Sequence, residues 1–241
     1  TLAPMTSIEP DVAFDIDGFN NLGYAIMTVG AETKFYEINI PFDADGTEGT
    51  MCGNGGRCLV QYANDHGIVK EDYLFIAIDG PHEAKIESNG WIHLKMIDVK
   101  SVEKNIEGDV TFYVLNTGSP HYIEFVDSVN SVDIVGLGQM IRYNERFKAE
   151  GINVNFVQQE EGQLFVRTYE RGVENETFSC GTGVTASALI AGIEKLGEQK
   201  INIETLGGKL AVSFNNRGDN IFDNIYLMGP GTFVFSGSLD I

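Results

Sequence analysis

The sequence predicts an α/β protein built from two similar halves, and three observations predict it. Strand-like segments outnumber helix-like ones along the 241 residues. A Cys-Gly-X-Gly motif occurs twice, as CGNG from Cys52 and CGTG from Cys180. Each motif is followed by the same succession of helix, strand, glycine turn, strand, turn and strand. The two copies lie about half a chain apart, as expected for two domains related by pseudo-symmetry. Domain 1 is predicted over 1–108 and domain 2 over 109–228. A final strand within 229–241 is expected to cross back to the first domain.

Each element has a local reason. KFYEINIPF (34–42) alternates and is rich in β-branched and aromatic residues, so it predicts a strand. GGRCLVQYANDHG (55–67) carries apolar residues at helical spacing and closes on Gly67. YLFIAID (73–79), EAKIES (83–88) and WIHLKMI (91–97) read as strands. Gly80-Pro81 turns between the first pair and Asn89-Gly90 between the second. VTFYVLNTG and HYIEFVD continue the strands. IVGLGQMIRYNERFKAEG (134–151) predicts a helix with a following loop. NVNFVQ and QLFVRTYE are strands, and GVTASALIAGIEKLG (183–197) is an Ala-rich helix ending at Gly197. INIETLGG, KLAVSFN and NIYLMG complete the second half.

Composition narrows the function. Sixteen basic against thirty-five acidic residues give a net charge of −19. This argues against a nucleic-acid partner, which needs a basic footprint, and against an anionic membrane surface. No apolar run reaches the roughly 18 residues of a membrane span. The first residues lack the pattern of a secretory signal. A small anionic substrate remains compatible, because fields at helix ends act locally. Three cysteines, Cys52, Cys58 and Cys180, are too few for a disulfide scaffold and fit no zinc spacing. They predict reduced thiols and a cytoplasmic location.

The doubled motif carries chemistry. A helix start exposes unpaired N–H groups and a partial positive charge. A cysteine just before it is expected to have a lowered pKa, and glycines let the backbone approach a carboxylate. Two such units face to face would grip one carboxylate with a sulfur on each side of the adjacent carbon. Inverting that carbon requires one group to remove hydrogen and another to deliver it to the opposite face. Cys52 and Cys180 are therefore candidate catalytic residues, with no metal or organic cofactor needed. Cys58 falls within the first helix, beyond its exposed turn, and is expected to be a packed core thiol.

These residues resemble a known family. DADGTEGTMCGNGGRC (43–58), NTGSPHYI (116–123), GINVNFVQ (151–158) and YERGVENETFSCGTGVTASA (169–188) are similar to the signatures of the diaminopimelate epimerase family. The resemblance runs from about residue 35 to the C-terminus. It implies two pseudo-symmetric α/β domains, each a mostly antiparallel sheet wrapped around a central helix. It implies an isomerase independent of pyridoxal phosphate, epimerising LL- to meso-diaminopimelate for lysine and cell-wall synthesis, and a homodimer.

By residue, it implies Cys52 and Cys180 as acid and base. Gly53 and Asn54, with Gly181 and Thr182, would hold the carboxylate. Glu170 and Arg171 would contact the substrate's distal amino-acid end, Asn153 would add a neutral polar contact, and Asp43 stands at a further substrate position. His121 and Glu170 are candidates for tuning the thiols. Asp43 and Ser119 replace the family's usual Asn at two places. Residues 1–34 lack the family's opening Gly-Asn block, and DGFNNLGY (17–24) reads as turn-forming. Two alternatives remain at this stage: a two-cysteine racemase of another amino acid such as histidine or proline, or an inactive amino-acid-binding homologue.

Overall fold

In the computed structural model the described backbone comprises residues 13–17, 22–29, 32–39, 52–77 and 80–233, with side chains over 52–76 and 80–233. Strands β1 (Ala13–Asp17), β2 (Leu22–Val29) and β3 (Glu32–Asn39) form an antiparallel sheet. Helix α1 (Gly53–Asp65) follows, then β4 (Tyr73–Ala77), β5 (Gly80–Ile86) and β6 (Trp91–Lys95). Next come β7 (Glu103–Glu107), β8 (Val110–Asn116), β9 (Pro120–Phe125), helix α2 (Ile134–Arg142), β10 (Asn153–Glu160), β11 (Gln163–Glu170) and β12 (Asn175–Thr177). Helix α3 (Gly181–Ala191) leads into β13 (Gly197–Thr205), β14 (Gly208–Gly218) and β15 (Ile221–Pro230).

The repeat read in the sequence is visible in the pairing. Behind α1, β4, β5 and β6 form an antiparallel meander, and behind α3, β13, β14 and β15 form another. The two meanders join edge to edge where β15 pairs antiparallel with β6, making one twelve-stranded sheet. Strand β15 is therefore the segment that reaches from the second half to the first. Of the segment 229–241, Gly229 and Pro230 take part in that pairing, and 234–241 lie outside the described residues. Gly108 lies in the turn between β7 and β8, so β7 pairs with a strand of the second half.

Two parallel pairs, β9–β10 and β11–β13, require crossovers, and helices supply them. Helix α2 connects the first pair and α3 the second. Helix α3 is small or apolar on every side, and Gly181 through Ile190 are all buried. It touches β8 to β11 and β13 to β15, so the sheet curls around it. Two of its hydroxyls are satisfied within the helix: Thr185 donates to the Gly181 carbonyl and Ser187 to that of Gly183. Helix α1 is amphipathic and buries only one side, including Leu59, Val60 and Ala63. One core cluster runs from Val60, Ile92 and Leu94 to Val184, Leu189 and Leu227, spanning both halves. A smaller cluster under α2 centres on Phe156 and Tyr169.

The third helix is shorter than its apolar pattern predicts, while the second is the expected helix with a following loop. Helix α3 ends at Ala191, ahead of Gly197. Asn216 donates to the carbonyls of Gly192, Ile193 and Lys195, and Gln199 to those of Gly192 and Lys195. These side chains satisfy carbonyls that another helical turn would have used. Gly197, with φ of 90°, instead opens β13. Helix α2 ends at Arg142, where Asn144 Oδ1 accepts from the amides of Arg146 and Phe147 and holds the chain in a turn.

Candidate active site at two helix tips

Each cysteine sits at the N-cap of its helix, in nearly the same backbone conformation. Cys52 has φ −98° and ψ 113°, and Cys180 has φ −112° and ψ 112°. The helix tips meet. A Cβ placed on Gly181 would lie 3.2 Å from Gly53 Cα, and one placed on Gly53 would lie 3.5 Å from Gly181 Cα. Both glycines also press on Leu227. Here glycine is a requirement of close approach. Two positive helix ends so close together favour an anion between them.

Asn54 and Arg57 lock this junction. Asn54 Nδ2 donates to the Ser179 carbonyl at 3.3 Å, bridging the halves directly before Cys180. Asn54 Oδ1 accepts from Arg57 Nη2 at 2.7 Å. Arg57 is buried and also donates to the carbonyls of Gly53 and Pro230. Burial lowers its pKa, while the neighbouring Cys58 and Cys52 sulfurs raise it. Arg57 is absent from the sequence-based expectations. Its clue was an Arg three residues after Asn54 on the buried side of an amphipathic helix, where a charge demands partners.

The two sulfurs differ. Cys52 is half-buried, and its Sγ accepts from the Gly55 amide at 3.4 Å. Cys180 is 6% exposed. Its sulfur lies 3.5 Å from Thr182 Oγ1, and the Gly183 amide favours its charged form without closing a full cap. Burial nevertheless pushes the Cys180 pKa well up, with the Glu170 charge adding to it. The expectation of a lowered pKa at both helix tips is thus corrected for Cys180. Desolvation outweighs the helix end and the local donors.

Around the second tip lies a buried polar cluster. His121 is fully buried, with Nε2 2.8 Å from Thr182 Oγ1 and Nδ1 3.0 Å from Asn155 Nδ2. Burial, and secondarily the charge of Arg171, lower its pKa from 6.5 to about 3, so it is neutral. Thr117 donates to the Thr182 carbonyl at 2.8 Å. Asn153 donates to Ser119 Oγ and the Pro120 carbonyl and accepts from the Arg171 amide, so both of its amide hydrogens are engaged within the protein. Glu170 accepts from Thr177 at 2.8 Å and lies near enough to act on Cys180. Arg171 Nη1 donates to the Glu150 carbonyl. Cys58 is half-buried on α1.

Cys52, Gly53 and Asn54 therefore meet Cys180 and Gly181 at one junction, with Thr182, His121, Asn153, Glu170 and Arg171 gathered about the second tip. Asp43 lies outside the described residues. Asn155, Thr168 and Thr117 were missed by the sequence reading. The available signal was Asn153-Val154-Asn155 in an otherwise apolar strand. Residues two apart share one face of a strand, and a buried polar pair needs partners.

Fold and site define a class. The fold is shared with a phenazine biosynthesis protein of the PhzF family from Bacillus anthracis. The TM-score is 0.64 at 11% identity, over 85% of this chain and 80% of that one. A hydroxyproline epimerase from Agrobacterium vitis matches with a TM-score of 0.58 at 14% identity, over 83% of this chain and 69% of that one. Sequence is more specific. The model of the diaminopimelate epimerase family matches residues 113–234. A diaminopimelate epimerase from Flavobacterium psychrophilum is 47% identical over 200 residues, 82% of this chain and 76% of the relative. The chain belongs to the diaminopimelate epimerase family and is an isomerase of the epimerase type.

Proposed function

We propose that the chain interconverts LL- and meso-diaminopimelate through two thiols, Cys52 and Cys180, in lysine and cell-wall precursor synthesis. The observation that carries this reading is the meeting of two cysteine-capped helix tips at Gly53 and Gly181. A substrate carboxylate bound between the tips would receive N–H donors from both helices, and its α-carbon would lie between the sulfurs. One sulfur, as thiolate, takes the α-hydrogen as a proton. The electron pair left behind spreads onto the carboxylate, where the fixed donors stabilise it. The other sulfur, as thiol, gives its proton to the opposite face. Each turnover exchanges the protonation states, and the reverse reaction restores them.

Burial and Glu170 favour the neutral form of Cys180, so Cys52 starts as the base. Gly53, Gly181 and Thr182 serve the carboxylate through backbone amides, and Asn54 and Arg57 hold the tips in register. Glu170 and Arg171 are read as contacts to the distal amino-acid end, and Asp43 as a further substrate contact. Glu170 acts on Cys180 as well as on the substrate, and Asn153 shapes the pocket by fixing Ser119 and Arg171. The enzyme is read as a cytoplasmic homodimer working without pyridoxal phosphate. The halves 1–108 and 109–228 are read as its domains, with β15 as the strand shared between them.

The test is hydrogen exchange. In deuterated water, LL-diaminopimelate should gain solvent deuterium at one α-carbon as meso product forms. Cys52→Ala and Cys180→Ala should each abolish product. Undiminished epimerisation by either variant would overturn the two-thiol reading.

A further inference from the structure

The polar cluster behind Cys180 has a defined direction. Asn155 is fully buried on β10, and its amide orientation is fixed from both ends. Nδ2 donates to the Tyr122 carbonyl at 3.0 Å, which can only accept. Oδ1 receives the Thr168 hydroxyl at 2.9 Å. With the amide so held, the group facing His121 Nδ1 at 3.0 Å is an N–H donor. A neutral imidazole that accepts at Nδ1 carries its hydrogen at Nε2. That hydrogen points to Thr182 Oγ1 at 2.8 Å. The Thr182 hydroxyl, already accepting, has its own hydrogen left to donate, and Cys180 Sγ stands 3.5 Å away.

We propose that Asn155 is a positioning residue for epimerisation: it fixes the Nε2–H tautomer of His121, so that Thr182 presents its hydroxyl hydrogen to the Cys180 sulfur. This deepens the two-thiol reading and rests on Cys180 being one of its acid–base pair. The chemical need is specific. Cys180 lies in a site that disfavours charge, yet it must carry a negative charge once it has given up its proton. A hydroxyl donor held ready on the sulfur stabilises that charge without reorganisation at the moment of transfer. An imidazole turned to the other tautomer would demand the Thr182 hydrogen for its own Nε2, and the sulfur would lose its donor. Thr168, one strand further on β11, acts at the start of this chain by holding Asn155 Oδ1.

Asn155→Asp tests this at nearly constant shape: its carboxylate accepts from His121 where the amide donates, and gives up the bond to the Tyr122 carbonyl. The His121 ring would then place its hydrogen on Nδ1. Nitrogen-15 spectra of histidine-labelled protein read the tautomer directly, with no substrate present. The wild type should show neutral His121 protonated at Nε2, and Asn155→Asp should show protonation at Nδ1. In a Cys52→Ser background, alkylation of Cys180 by iodoacetamide should slow about tenfold to a hundredfold, the worth of one hydrogen bond to a charged group. With Cys52 restored, kcat should fall by a similar factor while KM stays within about twofold.

Should Asn155→Asp fail to fold, Thr168→Val removes only the anchor on Oδ1. It should give a mixed tautomer population and a smaller loss of Cys180 reactivity. Wild-type His121 protonated at Nδ1 would overturn the proposal, as would a reversed tautomer with unchanged Cys180 alkylation. Neither readout needs turnover. If the tautomer and alkylation results hold but Cys180→Ala still epimerises, the two-thiol reading fails and the relay stands.

Discussion

The tips of α1 and α3 share a sequence motif, a backbone conformation and a helix end, yet they make two different thiols. Cys52 caps a helix with one exposed side, is half-buried and accepts the Gly55 amide. Cys180 caps a helix buried from Gly181 to Ile190, and burial with Glu170 holds its proton on. The repeated motif determines where each sulfur points. Burial at the second tip determines the proton affinity of Cys180. The proposed roles of base and acid need that difference, and burial of α3 supplies it with no change to the motif.

The largest effect should come from abolishing the thiols themselves. Cys52→Ser and Cys180→Ser each replace a thiol by a hydroxyl that ionises far less readily. Each should lower kcat by about 10²- to 10⁴-fold, the usual range for a positioned acid or base. A large loss at one and none at the other would break the proposed pairing. Next comes the junction. Gly181→Ala brings a Cβ to 3.2 Å from Gly53 Cα and 3.0 Å from Leu227 Cδ2. Forcing the tips apart should cost about 1–3 kcal/mol, read as a lower thermal midpoint, with a loss of kcat.

The asymmetry can also be read in acid. His121 is buried neutral, with its pKa lowered from 6.5 to about 3. The unfolded chain takes up a proton below 6.5 that the native protein refuses until about 3. Native stability should therefore fall as pH drops through that window, by about 1.4 kcal/mol per pH unit from this group. Denaturant titrations of the wild type and His121→Asn should show that part of the slope vanish in the variant. The smallest effect is in reactivity: half-buried Cys52 should be alkylated about tenfold faster than Cys180, since the thiolate is the reacting form. Equal rates in a peptide-mapping time course would remove the asymmetry.

Much of this was legible in the sequence. Ten of the twelve strands from residue 73 to the end of β15, the doubled motif and the placement of both cysteines at helix starts followed from periodicity and glycine spacing. What was hidden is tertiary. Nothing near Gly192 announces that Asn216 and Gln199 will end α3 there. The charged EKNIE of β7 lacks an apolar alternation, because both its faces are largely exposed. The motif spacing likewise gives no hint that Cys180 is buried, since the helix it caps packs against strands spread from β8 to β15. Asn153 shows the same limit. Family resemblance marks it as a site residue, while the geometry has its amide holding Ser119, Pro120 and Arg171.

That both sulfurs can reach a single carbon is tested most directly by a reagent with two leaving groups on one carbon. Diiodomethane, losing one iodide to each of two thiolates, leaves a one-carbon bridge that peptide mass spectrometry locates. The predicted product joins the peptide containing Cys52 to the peptide containing Cys180, and diaminopimelate should slow its formation. Sulfurs modified only singly, or a bridge from Cys52 to Cys58 alone, would contradict the account.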